Sequence, residues 1–309
     1  MAEAVGDALT ARRLRAGLAG LGLALAGTWE PLWAITSEEQ AEHEMREHTG
    51  MLDAEDTPTV EGSGPTAPIG DPGPDLANFP NSSYTLPEGG FYFESSPLSY
   101  YGSSMGAPPQ WSLSYLLRYG LFENIELRLF SNGLTFRSDE VGTSPLAIDT
   151  KAHLWDYDSD GLNASVGIEA YVQPPNWLAT SDFRQPLQFA ATLLVDHNLP
   201  WDIAMGWNVG FTRTLGQEQS FTRPTIQWAF QRNVTEDIAV FIQGFHNAAT
   251  LPGVPMSQAL IVSNRQTDVV GFGGQWTLNE RVAIFGNMNW GLTPLSPKEI
   301  ANLGFAVAF

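Results

Sequence analysis

The chain contains no cysteine. That excludes a disulfide scaffold, a thiolate metal site and a thiol nucleophile. Basic residues are scarce: 15 Lys and Arg stand against 34 Asp and Glu, for a formal net charge of −19. Nucleic-acid binding needs Lys and Arg clustered on one face, so the balance argues against that partner. It names no other partner, because acidic surfaces are also simply soluble ones. Long apolar runs are missing too. A membrane-spanning helix needs about 18 or more apolar residues in succession, and outside the N-terminus there is no such run. Yet aromatics reach 11%. A membrane β-barrel places apolar residues at every second position and so keeps its mean hydropathy modest. The 309 residues suffice for one large β domain or two ordinary ones.

The N-terminus reads as a secretory signal. Arg12, Arg13 and Arg15 precede an apolar run from Ala16 to Ala26, and Ala24-Leu25-Ala26 fits a small-x-small cleavage site. Residues 1–26 are therefore expected to be a signal peptide. Residues 27–85 are expected to be an acidic, disordered periplasmic segment. Between Glu30 and Asp75 twelve acids face the single Arg46, and Thr57 to Ser83 is rich in Pro, Gly and Ser. Such a stretch buries too little apolar area to offset its ordering entropy. His43 and His48 lie five apart on a possible short helix, the wrong spacing for a helical zinc pair, which needs i and i+4.

A two-residue rhythm then runs to the C-terminus. Ala301, Leu303, Phe305, Val307 and Phe309 share one face, and Asn302, Gly304, Ala306 and Ala308 the other. Ile203, Met205, Trp207, Val209 and Phe211 similarly oppose Ala204, Gly206, Asn208, Gly210 and Thr212. Each run has about the length that crosses a bilayer at a tilt. Short polar turns alternate with longer irregular stretches, as periplasmic turns and outer loops do in outer-membrane barrels. The pattern predicts a transmembrane antiparallel up-and-down β-barrel of about twelve strands over residues 86–309, its even count leaving both ends in the periplasm. A soluble sandwich or lipocalin-like barrel is the alternative. Against it, Trp and Tyr recur towards strand ends, where aromatic girdles meet the bilayer interface.

Leu116-Leu117-Arg118-Tyr119-Gly120-Leu121, a short turn and Ile125-Glu126-Leu127-Arg128-Leu129 resemble a signature of the outer-membrane barrels named after the meta-pathway of phenol degradation. Leu86 to Glu94 resembles that family's first strand, although its Asp-Arg-Pro motif is absent between Asp75 and Tyr84. The resemblance implies an outer-membrane location and uptake of small, often aromatic or apolar compounds. Phe309, ending an alternating strand, is similar to the signal that the barrel-assembly machinery recognises.

Alternation puts Arg118, Glu126, Arg128, Asp149, Lys151, His153 and Glu169 on the lumen face, with Tyr171 narrowing it. Facing lipid, an Arg or Lys would cost roughly 2–4 kcal/mol at the midplane. Two roles are open for these charges: a salt-bridged plug that stiffens the wall, or the lining of a solute path. Asp156 to Gly161 opens like a calcium loop, but position twelve is Gly167 where a bidentate Glu is needed. No Gly-x-Ser-x-Gly elbow occurs, and His153, His197 and His246 show no convincing nucleophile beside them. No catalytic residue, cofactor or metal is expected. The expected partners are outer-membrane lipid, the assembly machinery and a small-molecule solute. The expected function is a passive channel or transporter. A closed structural or binding barrel is the rival, and an outer-membrane hydrolase the third option.

Overall fold

The computed structural model describes residues 68–309 except 106–107, 139, 160–161, 176, 216–219 and 247–266. The expected signal peptide and residues 27–67 of the leader lie outside these. Fourteen strands occur among the described residues. Twelve form the barrel wall: β1 (Phe91–Tyr101), β2 (Gln110–Phe122), β3 (Ile125–Ser131), β6 (Leu146–Ser159), β7 (Leu162–Gln173), β8 (Leu187–Leu199), β9 (Ile203–Leu215), β10 (Ser220–Asn233), β11 (Ile238–His246), β12 (Asp268–Asn279), β13 (Val282–Gly291) and β14 (Glu299–Ala308). Each pairs antiparallel with its neighbours, and β1 closes the cylinder by pairing with both β2 and β14. Closure leaves no strand edge, the condition for placing a sheet in hydrocarbon.

The remaining two strands, β4 (Leu134–Arg137) and β5 (Glu140–Thr143), correct one expectation. The alternation in the sequence runs on from Ile125 to Phe136 and predicts one strand over 125–136. The strand ends instead at Ser131, and the chain turns at Gly133 into a hairpin that pairs with the start of β2. Gly133 sits at φ +56°, and a Cβ there would lie 2.4 Å from the Leu113 carbonyl oxygen. Only glycine takes that position without strain. A period-two pattern cannot register such a turn, because Leu134, Thr135 and Phe136 keep alternating after it.

The wall is two-sided. Leu127, Leu154, Ile168, Val209, Phe272 and Leu303, on six different strands, each expose more than a third of their surface outward. Trp111, Trp155, Trp276 and Trp290 are exposed near strand ends. This is the outward apolar band with aromatic girdles of an outer-membrane barrel.

The lumen is partly filled by the chain's own N-terminal region. Residues 68–85 were expected to be disordered in the periplasm; they instead fold inside the barrel. At the short-turn rim the Ile69 amide donates to the Glu280 carbonyl (2.7 Å) and the Tyr92 hydroxyl to the Pro68 carbonyl (2.6 Å). Deeper, the Asp75 and Leu76 amides donate to the two carboxylate oxygens of Glu94 (3.1 and 2.8 Å). Asn287 donates to the Ala77 carbonyl (2.9 Å), and the Phe79 amide donates to Gln243 (2.8 Å). The segment then returns, with the Ser83 amide on Asp196 (2.6 Å) and the Leu86 amide on Glu126 (2.9 Å). It exits over Gly120, where a Cβ would meet the Pro87 carbonyl oxygen at 1.9 Å. Ile69, Ala77 and Leu86 pack with Tyr92, Phe285 and Ala306, and Phe79 packs with Tyr101, Phe245 and Ile300. The wall thus supplies the hydrogen bonds and apolar surface that the segment lacks alone.

The outward face generates a direct test. Leu303→Arg, midway along β14, is expected to cost roughly 2–4 kcal/mol of stability in phospholipid vesicles. Urea unfolding measures it, and a change within about 0.5 kcal/mol, as on an ordinary wet surface, would show that this face does not meet hydrocarbon.

Candidate functional site

Antiparallel register assembles the lumen's charged centre from five adjacent strands and the inserted segment. Arg118 on β2 lies opposite Arg128 on β3, Arg128 opposite Asp149 on β6, Glu126 opposite Lys151, and Lys151 opposite Glu169 on β7. All point inward because they occupy alternate positions with one parity. Arg118 is fully buried and makes a two-armed bond to Glu126 (2.7 and 3.0 Å), with further bonds to Glu94 (3.0 Å) and the Gly73 carbonyl (2.7 Å). Arg128 pairs with Glu169 (2.6 Å) and Asp149 (2.9 Å).

Asp75 ties the inserted segment to this centre. Its Oδ2 lies 2.8 Å from Lys151 Nζ, 3.3 Å from Arg128 and 3.5 Å from Arg118. One carboxylate thus touches three cations. The cluster holds five carboxylates, Asp75, Glu94, Glu126, Asp149 and Glu169, against Arg118, Arg128 and Lys151. With so little water in reach, no member could lose its partners cheaply.

The six charges predicted from β2, β3, β6 and β7 other than His153 therefore meet in one cluster. Two of its members were missed. Glu94 was legible, since it shares the face of Tyr92 and Ser96 on β1. Asp75 was not, because it lies off any strand. His153 is elsewhere. It keeps the register and parity of Lys151 but lies nearer the short turns, its imidazole stacked on Tyr84 (5.3 Å) and 3.3 Å from Asp156. Ser165 gives its hydroxyl hydrogen to Asp156, not to His153, so the three do not form a nucleophile–base–acid relay. His197 bonds the Asn163 carbonyl and His246 bonds Asp268. No group of three metal-capable side chains occurs among the described residues; Asp160 and Gly161 of the calcium-like turn lie outside them. Phe309 donates its amide to the Phe91 carbonyl (2.9 Å), where the last strand joins the first.

Residues 75–82 divide the lumen. Leu76, Phe79 and Asn81 border a cavity of about 100 Å³ on the long-loop side, together with Arg128, Asp149, Glu169 and Tyr171. Asp75, Asn78, Pro80 and Ser82 border a second cavity, of about 280 Å³, with Asp196 and His197 near the short turns. Tyr171 donates to Gln188 (2.5 Å) in the outer cavity wall.

Removal of Arg118 leaves Glu94 and Glu126 without their main cation. Arg118→Met is expected to destabilise the barrel by about 3–5 kcal/mol. Adding Glu94→Gln and Glu126→Gln should recover part of that loss. Unfolding of the single and triple variants decides it: a single-variant loss below about 1 kcal/mol would make these contacts incidental.

Among curated proteins none matches this chain. Solved structures similar to it include an outer-membrane channel from Pseudomonas putida F1, 15% identical, TM-score 0.48, covering 74% of this chain and 99% of that one. The KdgM porin in complex with oligogalacturonate is 7% identical, TM-score 0.45, covering 71% and 99%. An anion-selective porin from Comamonas acidovorans is 10% identical, TM-score 0.35, covering 71% and 98%. A sequence model of the family described as MetA-pathway of phenol degradation matches residues 75–309, which takes in both the whole barrel wall and the inserted Asp75, and the chain belongs to that family.

Proposed function

We propose that this protein is an outer-membrane channel for small solutes whose passage is controlled by residues 75–82. The observation that carries the reading is the two cavities, one towards each end of the barrel, bordered by opposite sides of that single strip of chain. The strip that borders both is not a strand of the wall but a segment held through Asp75, Glu94 and Gln243. Displacing a few residues joins the cavities without breaking the sheet. Electrostatics favours neutral or cationic solutes, since carboxylates outnumber cations in the cluster. Phe79, Phe130, Leu116 and Tyr171 beside the outer cavity suit an apolar or aromatic body, in keeping with the phenol-degradation label of the family. In this reading the protein is not an enzyme; the solute passes unchanged. Phe309 would serve as the assembly signal.

The rival, a barrel closed for structural purposes, draws on the packing of Ile69, Leu86 and Phe79 against the wall. Flux separates the two. Asp75→Asn removes the charge shared by three cations and is expected to raise liposome swelling by small neutral solutes several-fold over the parent. Because the chain has no native cysteine, one cysteine on residues 75–82 and one on the facing wall, at positions whose Cβ atoms lie about 4 Å apart, give a clean lock. Oxidation should suppress the flux and reduction restore it. If parent, Asp75→Asn and reduced double variant all fail to swell, the barrel is closed.

A further inference from the structure

The outer cavity contains a polar side chain with nothing to bond. Asn208 on β9 is 1% exposed, and neither its amide nitrogen nor its carbonyl oxygen has a hydrogen-bond partner. Gln227 lies directly across on β10 without satisfying it. Thr225, two residues before Gln227 and also buried, has an unpartnered hydroxyl. Both border the same cavity. A buried carboxamide with both ends unmet is costly and rare in folded proteins. It calls for an occupant offering an acceptor to Nδ2 and a donor to Oδ1.

The surroundings narrow that occupant. An Asp149 carboxylate oxygen on the cavity also lacks a hydrogen-bond partner, and Glu169 is close by. An anion entering here would meet carboxylates. The cation on the cavity, Arg128, has its charge matched by Asp75, Asp149 and Glu169, its Nε alone lacking a hydrogen-bond partner. Phe79, Phe130 and Tyr171 supply flat apolar walls. About 100 Å³ is the room of roughly three waters, or one small ring.

We propose that this cavity is a binding site for a neutral single-ring solute carrying a donor and an acceptor on adjacent atoms, read by Asn208 with Thr225 beside it. A ring-bound cis-amide meets the Asn208 carboxamide with two parallel hydrogen bonds while its ring face lies against the aromatic walls. This rests on reading the lumen as a solute path, and makes Asn208 the residue that chooses among solutes.

The test uses the full chain in detergent micelles, titrated calorimetrically with 2-pyridone. N-methyl-2-pyridone, which lacks the donor, and benzoate, an anion, are the comparisons. The parent should bind 2-pyridone saturably and the other two about tenfold more weakly or less, as expected for a lost hydrogen bond or a charge clash. Asn208→Asp keeps the shape but removes the donor, and should weaken 2-pyridone about tenfold; Thr225→Val should weaken it to a smaller extent. Equal binding of all three compounds, or 2-pyridone binding untouched by both substitutions, overturns the site. Swelling assays on the same variants keep the two readings apart. Asn208-dependent binding with no flux in any variant supports the site and sinks the channel. Flux without such binding sinks the site and leaves the channel standing.

Discussion

A peptide N–H or C=O left unpaired in hydrocarbon costs several kcal/mol, and that single penalty organises this molecule. It forces the strands to close, so that β1 finds both β2 and β14. Closure makes each wall position either lipid-facing or lumen-facing. Once the wall has two sides, charge has only one place to go. Arg118, Glu126, Arg128, Asp149, Lys151 and Glu169 turn inward together and must neutralise one another there.

That crowding explains why the inserted segment is held so deeply. The strands bring three cations together, and Asp75 reaches all of them from outside the sheet. The segment's amides in turn answer the carboxylates of Glu94 and Glu126. A stretch rich in Pro and Gly cannot order itself, but prolines restrict its unfolded freedom. A lumen lined with unmet polar groups provides the remaining stabilisation. The same arrangement leaves Asn208 on the far side without a partner among the described residues.

The proposed function rests on how unevenly the lumen is filled. Near the short turns Ile69, Leu86 and Phe285 make an apolar core beside the cavity lined by Asp196 and His197. Farther out, the walls of β8, β9 and β10 carry Gln188, Asn208, Thr225 and Gln227 around open space. Such a polar hollow supports the proposed path for small molecules. The charged cluster lies between these regions, and through Asp75 it anchors the strip of residues 75–82 that the proposed channel would displace.

Much of this was readable from the chain alone. The alternation of Leu303 with Asn302 and Gly304 placed the lipid face, and the parity of Arg118, Arg128 and Lys151 placed them in the lumen, because strand geometry converts sequence parity into side. The family followed from Arg118-Tyr119-Gly120-Leu121 and the strand after it. Three features needed the folded barrel. His153, although on the expected face, stands apart from the cluster because it lies nearer the short turns, against Tyr84 of the inserted segment. Gly133 diverted the third strand through a left-handed turn that the surrounding alternation conceals. Asp75 found its three cations across 43 to 76 positions of sequence, a pairing no local pattern encodes. Local rhythm determines which way each strand side chain points. Which distant groups then share a water-poor interior is decided only when the cylinder closes around them.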